Sequence, residues 1–159
     1  MKKVPYDIID TAAEQVSDEL NTNETLVVDM ARKHPVIFNY VMGEQFELIG
    51  EDVQELMLYA TIVIANCMSQ IAPLPKVSID TLDKLQANNW DTIENLPPLK
   101  KQTFEEYVEP IIGPHSQDEL LYFIIDVFDQ DDESDLTISK ESKIPIFVGL
   151  KSVVDAWNV

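Results

Sequence analysis

The side chains most able to do chemistry in this chain are carboxylates, because 29 acids stand against only 11 Lys and Arg. Three carboxylate pairs are spaced i,i+3: Glu44 with Glu47, Asp52 with Glu55, and Asp80 with Asp83. On a helix, that spacing sets both members of a pair on one face. Such pairs on facing helices can hold magnesium, and the metal can then activate water against a phosphate. Asp52, Glu55, Asp80 and Asp83 are the set that this chemistry would use.

The arrangement loosely resembles that of the all-α nucleoside triphosphate pyrophosphatases, which implies magnesium-dependent hydrolysis of nucleotides. The chain departs from that pattern in two ways. It lacks the paired Glu-x-x-Glu and Glu-x-x-Asp at the usual separation, and it shows no basic clamp for phosphate. In a chain this acidic, i,i+3 carboxylates also arise by chance, so hydrolysis is the second reading.

A denser acidic feature follows the apolar stretch that ends at Phe128. Asp129, Asp131, Asp132, Glu133 and Asp135 fall within seven residues and resemble the entry to an EF-hand calcium loop. The register fails, because the sixth position from Asp129 is Ser134 rather than glycine and the twelfth is Lys140 rather than glutamate. No cofactor or metal is expected. The run belongs to a longer field: from Gln102 through Ser139 there is no Lys or Arg. Glu105, Glu106, Glu109, Asp118, Glu119 and Asp126 complete its acids. A field of one sign steers a partner of the opposite sign and raises its association rate.

The remaining reactive types carry less. His34 precedes Pro35 and His115 lies in Gly113-Pro114-His115, with no Glu-x-x-His pair for a di-iron site. Cys67, the single cysteine, sits in the most apolar stretch and reads as a buried, inert thiol. No nucleophile elbow, phosphate-cradling glycine loop or zinc motif occurs. A recognisable catalytic machine is therefore not expected.

The elements that must position these groups are helices. Glu51 to Ala72 is the most sustained apolar segment, interrupted between Leu56 and Ala65 only by Thr61. As a helix of about 22 residues it is roughly 33 Å long, and being apolar all round it must be surrounded. Its uninterrupted part falls short of the ~18 residues of a membrane span, so other helices must surround it. Gly50 and the charged turn Glu51, Asp52 and Glu55 mark its start.

Apolar spacing predicts further helices over 7–20, 24–33, 35–50, about 78–88, 103–108 and 116–129, the last opening with a Ser116–Glu119 capping box. Residues 89–102, which include Pro97-Pro98, read as a loop and as a boundary between subregions of one helical domain spanning 1–159. Ile144 to Val148 can be a short extended segment before a helical end. The fold class is all-α, an irregular multi-helix bundle around the helix at about 51–72.

A net charge of −18 disfavours direct nucleic-acid binding and adsorption to anionic lipid. With no secretory signal at the start of the sequence, a cytoplasmic location is expected. The leading expectation is a non-enzymatic protein that binds another protein with a basic surface, in the manner of an inhibitor, immunity protein or adaptor. Its contact residues would be Glu105, Glu106, Glu109, Asp126, Asp129, Asp131, Asp132, Glu133 and Asp135. A structural subunit of a homo-oligomer is the third reading.

Overall fold

Among the described residues Gly50 alone has a positive φ, 147°, and it turns the chain into the longest described helix. The computed structural model describes residues 1–129 and 138–159, and every regular element among them is a helix. In chain order these are α1 (Tyr6–Thr22), α2 (Thr25–Lys33), α3 (Pro35–Val41), α4 (Glu44–Glu47) and α5 (Glu51–Ile71). After them come α6 (Ile79–Glu94), α7 (Phe104–Ile112), α8 (Asp118–Phe128) and α9 (Lys140–Trp157).

The architecture is the expected all-α bundle around the central helix. Helix α5 packs against α1, α2, α3, α4, α8 and α9, so its all-round apolar surface is covered on every side. Six successive residues, Ala60 to Ala65, are buried, and Thr61 satisfies its hydroxyl by donating to the Met57 carbonyl at 2.7 Å. Helix α9 lies against α5, α6 and α8 and contributes Phe147, Leu150, Val153 and Trp157 to the same apolar cluster. Among the described residues no helix is long and apolar enough to cross a membrane.

Several local expectations are corrected. Residues 144–148 are helical rather than extended. Ser139 caps α9 by accepting from the Ser142 amide at 3.2 Å, and Pro145 is carried inside the helix. A proline there forfeits one backbone hydrogen bond. The burial of Ile146, Phe147 and Val148 just beyond it outweighs that loss.

Helix α6 runs through Asn89 and Trp90 to Glu94, so the irregular connection is 95–103 rather than 89–102. The segment 35–50 is two helices rather than one, parted at Met42 and Gly43. Gln54 stabilises the break, its amide donating to the Val41 and Gly43 carbonyls at 3.2 Å each. Helix α7 continues past Pro110 to Ile112 and has a capping box, Thr103 with Glu106. The capping box expected at Ser116 and Glu119 is absent: α8 begins at Asp118, and the Ser116 hydroxyl accepts from Asn158 at 2.9 Å.

Candidate functional site

Helix α8 buries Leu120, Leu121, Ile124, Ile125 and Phe128, which leaves Glu119, Tyr122, Phe123 and Asp126 on its outer side. Those four follow the i, i+3, i+4, i+7 spacing of one helical stripe. Helix α1 presents a stripe of the same spacing, Tyr6, Ile9, Asp10 and Ala13. The two helices pack together, and the eight side chains line a groove of about 240 Å³. Tyr6 is 61% exposed at its edge. Three carboxylates and three aromatic rings thus share one concave surface. Phe123 is half-buried, packed against the core on one side and forming part of this groove on the other.

The acidic residues near the groove differ in what they already hold. Asp118 is paired with Lys3 at 2.7 Å, and the Lys3 hydrogen bond holds its carboxyl below the usual range. Glu119 is 3.9 Å from the same ammonium. Asp129 is paired with Lys143 at 2.9 Å. Glu106 is used in the capping box of α7. Glu109 accepts from the Tyr122 hydroxyl through both oxygens, at 2.7 and 2.9 Å, and this bond pushes the phenol up to about 12.

Among the described residues, Glu105, Glu109 and Asp126 have no cation within ion-pair distance. The Asp126 carboxyl is raised by partial burial and by the neighbouring charge of Asp129, so a cation placed there would relieve an existing repulsion. The expected contact residues Asp131, Asp132, Glu133 and Asp135, and with them most of the EF-hand-like run, lie outside the described residues.

The other polar concentration is internal. His115 Nε2 faces Asp155 Oδ1 at 2.8 Å, and Lys151 Nζ reaches Asp155 Oδ2 at 2.7 Å. Asn89 donates to Asp155 Oδ2 at 3.1 Å and to the Ser152 hydroxyl at 3.0 Å, and it accepts from Lys151 at 2.7 Å. Ser, His and Asp are therefore neighbours here, but not as a nucleophile and its base. The Ser152 hydroxyl donates to the Val148 carbonyl at 2.7 Å, and the Gln117 amide occupies His115 Nδ1 at 2.9 Å. With both imidazole nitrogens taken and Ser152 fully buried, no proton relay to Ser152 exists. The cluster pins α6 and α9 to the turn before α8.

Gln117 extends this pin to the chain's start. Its side-chain oxygen accepts from the Val4 amide at 2.9 Å, while its amide donates to the Lys2 carbonyl at 3.0 Å and to Asn158 at 3.1 Å.

The i,i+3 carboxylate pairs are not drawn together. All four carboxylates of the two helices are exposed; Asp52 lies in the first turn of α5 and Asp80 in that of α6, where negative charge offsets the helix dipole, with Glu55 and Asp83 one turn further on. Among the described residues no three His, Cys, Asp or Glu side chains are gathered as ligands for a metal. Cys67 is buried, and burial pushes its thiol up to about 12, which suppresses the reactive thiolate. No protein-family model, curated protein or solved structure matches the chain.

Proposed function

We propose that the protein acts by binding another protein, and that a basic segment of that partner lies in the groove between α1 and α8. The observation that carries this reading is the groove's mixed lining. Asp10, Glu119 and Asp126 alternate with Tyr6, Tyr122 and Phe123 around a cavity of about 240 Å³. Carboxylates attract and orient Lys and Arg, while aromatic faces accept their charge and stems at short range. The neighbouring Glu105 and Glu109 on α7 extend the negative field beyond the groove. A partner segment with cations at helical spacing and one or two apolar anchors has the matching chemistry.

The test is a binding comparison at low salt between the wild type, the groove variant Asp10→Asn with Asp126→Asn, and the distal control Asp80→Asn with Asp83→Asn. All four positions are exposed, so folding is retained. Removing two rim charges should weaken capture of a basic partner by roughly tenfold, and moderate salt should release it from the wild type. The distal control should bind as the wild type does. Equal loss in both variants, or none in either, rejects the groove as the contact.

A further inference from the structure

Positive charge is scarce in this protein, yet it is gathered at one place. Arg32, Lys33 and His34, at the junction of α2 and α3, line a single cavity with Lys76, which comes from the connection between α5 and α6. That is three of the chain's 11 Lys and Arg and one of its two histidines, whereas none of its 29 acids lines the cavity. The rest of the lining is apolar: Pro35, Val36, Ile37 and Val77 enclose about 290 Å³ with these four residues.

The charges are largely uncommitted. Arg32 meets Asp29 at 3.3 Å, but among the described residues Lys33 and Lys76 have no carboxylate within ion-pair distance. Lys33 and Lys76 thus bring positive charge to a cavity with no acid in its lining.

The wall that carries these groups is fixed. His34 sits at the break before Pro35, its amide bonded to the Met30 carbonyl at 2.9 Å. Its ring meets the fully buried Trp157 edge to face, with centroids 5.1 Å apart. Lys33 and His34 also line a second cavity of about 220 Å³, together with Asp29.

We propose that the cavity at the α2–α3 junction binds a small organic anion. A phosphate or carboxylate head would be set against Lys33, Lys76 and Arg32, and a compact apolar body against Pro35, Val36, Ile37 and Val77. The pocket is a local exception on an acidic molecule, so a long polyanion would meet repulsion on either side of it. A ligand small enough to lie within the cavity avoids that field. Concave apolar lining with a few converging polar groups is the usual form of a small-molecule site. The inference is independent of the groove between α1 and α8, which lies on other elements and has the opposite charge.

The experiment is an amide NMR titration of the intact protein with phenyl phosphate and with benzoate. Benzyl alcohol serves as the uncharged counterpart, and inorganic phosphate as the head group alone. The expected result is saturable shifts at Lys33, His34, Val36, Ile37 and Val77 with one or both aromatic anions, and none with benzyl alcohol. Phenyl phosphate against benzoate decides which head the site takes, and inorganic phosphate measures how much the apolar body adds. Lys33→Gln with Lys76→Gln, both exposed positions, should weaken that binding by roughly tenfold while leaving the remaining spectrum unchanged. No saturable shift with either anion overturns the proposal. So does an equal response to benzyl alcohol, or undiminished binding in the double variant.

Discussion

His115 and Asp155, forty residues apart in sequence, face each other at 2.8 Å, and the carboxylate's second oxygen is held by Lys151 at 2.7 Å. One acid on the last helix thus anchors the turn before α8, its own helix and, through Asn89, α6.

Asp155→Ala should therefore be among the most damaging single changes outside the apolar core. It removes the carboxylate that satisfies a lysine and an imidazole, both largely covered, and the loss of one partner of such a pair costs about 3–5 kcal/mol. Urea unfolding measures it, and Asp155→Asn, which keeps the shape, should cost less. The pH dependence has a definite sign. Burial opposes ionisation of Asp155, but the His115 hydrogen bond, Lys151 and Asn89 outweigh it and hold the carboxyl below its ordinary value. The folded state thus binds this proton less tightly than the unfolded chain. The contribution is complete above the unfolded value near 4 and is lost as pH falls through the folded one. The stability gap between wild type and Asp155→Asn should be level from about pH 7 to 5 and should close below about 4. A gap that persists unchanged to pH 2 contradicts the assignment.

Gly149→Ala tests packing against propensity. Alanine is better than glycine in a helix by about 1 kcal/mol, so the substitution in α9 looks favourable from sequence. The added Cβ, however, would lie 2.6 Å from Phe46 Cζ and 3.0 Å from Cε1. Phe46 is fully buried, with Tyr40 edge-on to its ring at 5.4 Å, so it has little room to yield. The clash should win, with a net loss of about 1–3 kcal/mol in thermal or urea unfolding. Phe46→Leu in the Gly149→Ala background should recover part of that loss. A stabilised Gly149→Ala protein would show that Phe46 moves freely.

Gln117→Ala should loosen the chain's start without disturbing the bundle. The Val4 amide, the Lys2 carbonyl and Asn158 lose their partner together, and Val4 is fully buried. An unsatisfied buried amide costs about 1–3 kcal/mol. Hydrogen exchange should accelerate at Val4 ahead of the amides of α5. Unchanged protection at Val4 would mean that other contacts hold the segment.

The helices were legible because their apolar spacing is strong; the central one was placed to within a residue from its unbroken apolar run and charged first turn. The breaks were less so. The parting of α3 from α4 depends on Gln54, whose amide reaches carbonyls more than ten residues back, and no local pattern encodes that. Ser116 and Glu119 have the capping-box spacing, but tertiary bonds to Asn158 and through Gln117 take the place of the local motif. The short run Ile144 to Val148 could be extended by its local sequence; burial of Ile146, Phe147 and Val148 within α9 makes it helical instead. For the groove, the signal was present in two matching stripes, at 6-9-10-13 and 119-122-123-126, but only the fold shows that they face each other. The cationic cavity joins residues 32–34 to Lys76, a proximity that the fold of α3, α4 and α5 between them creates.

The position of α9 in the core bears on how the protein comes into being. Helix α5 leaves the ribosome long before α9, yet α9 supplies Phe147, Leu150, Val153 and Trp157 to its covering. The nascent chain therefore carries an apolar face of α5 that waits for α8 and α9, and such surfaces recruit chaperones or aggregate. A premature stop early in α9 would leave the α9-facing side of that helix uncovered, and quality-control proteases would recognise the product as incompletely folded.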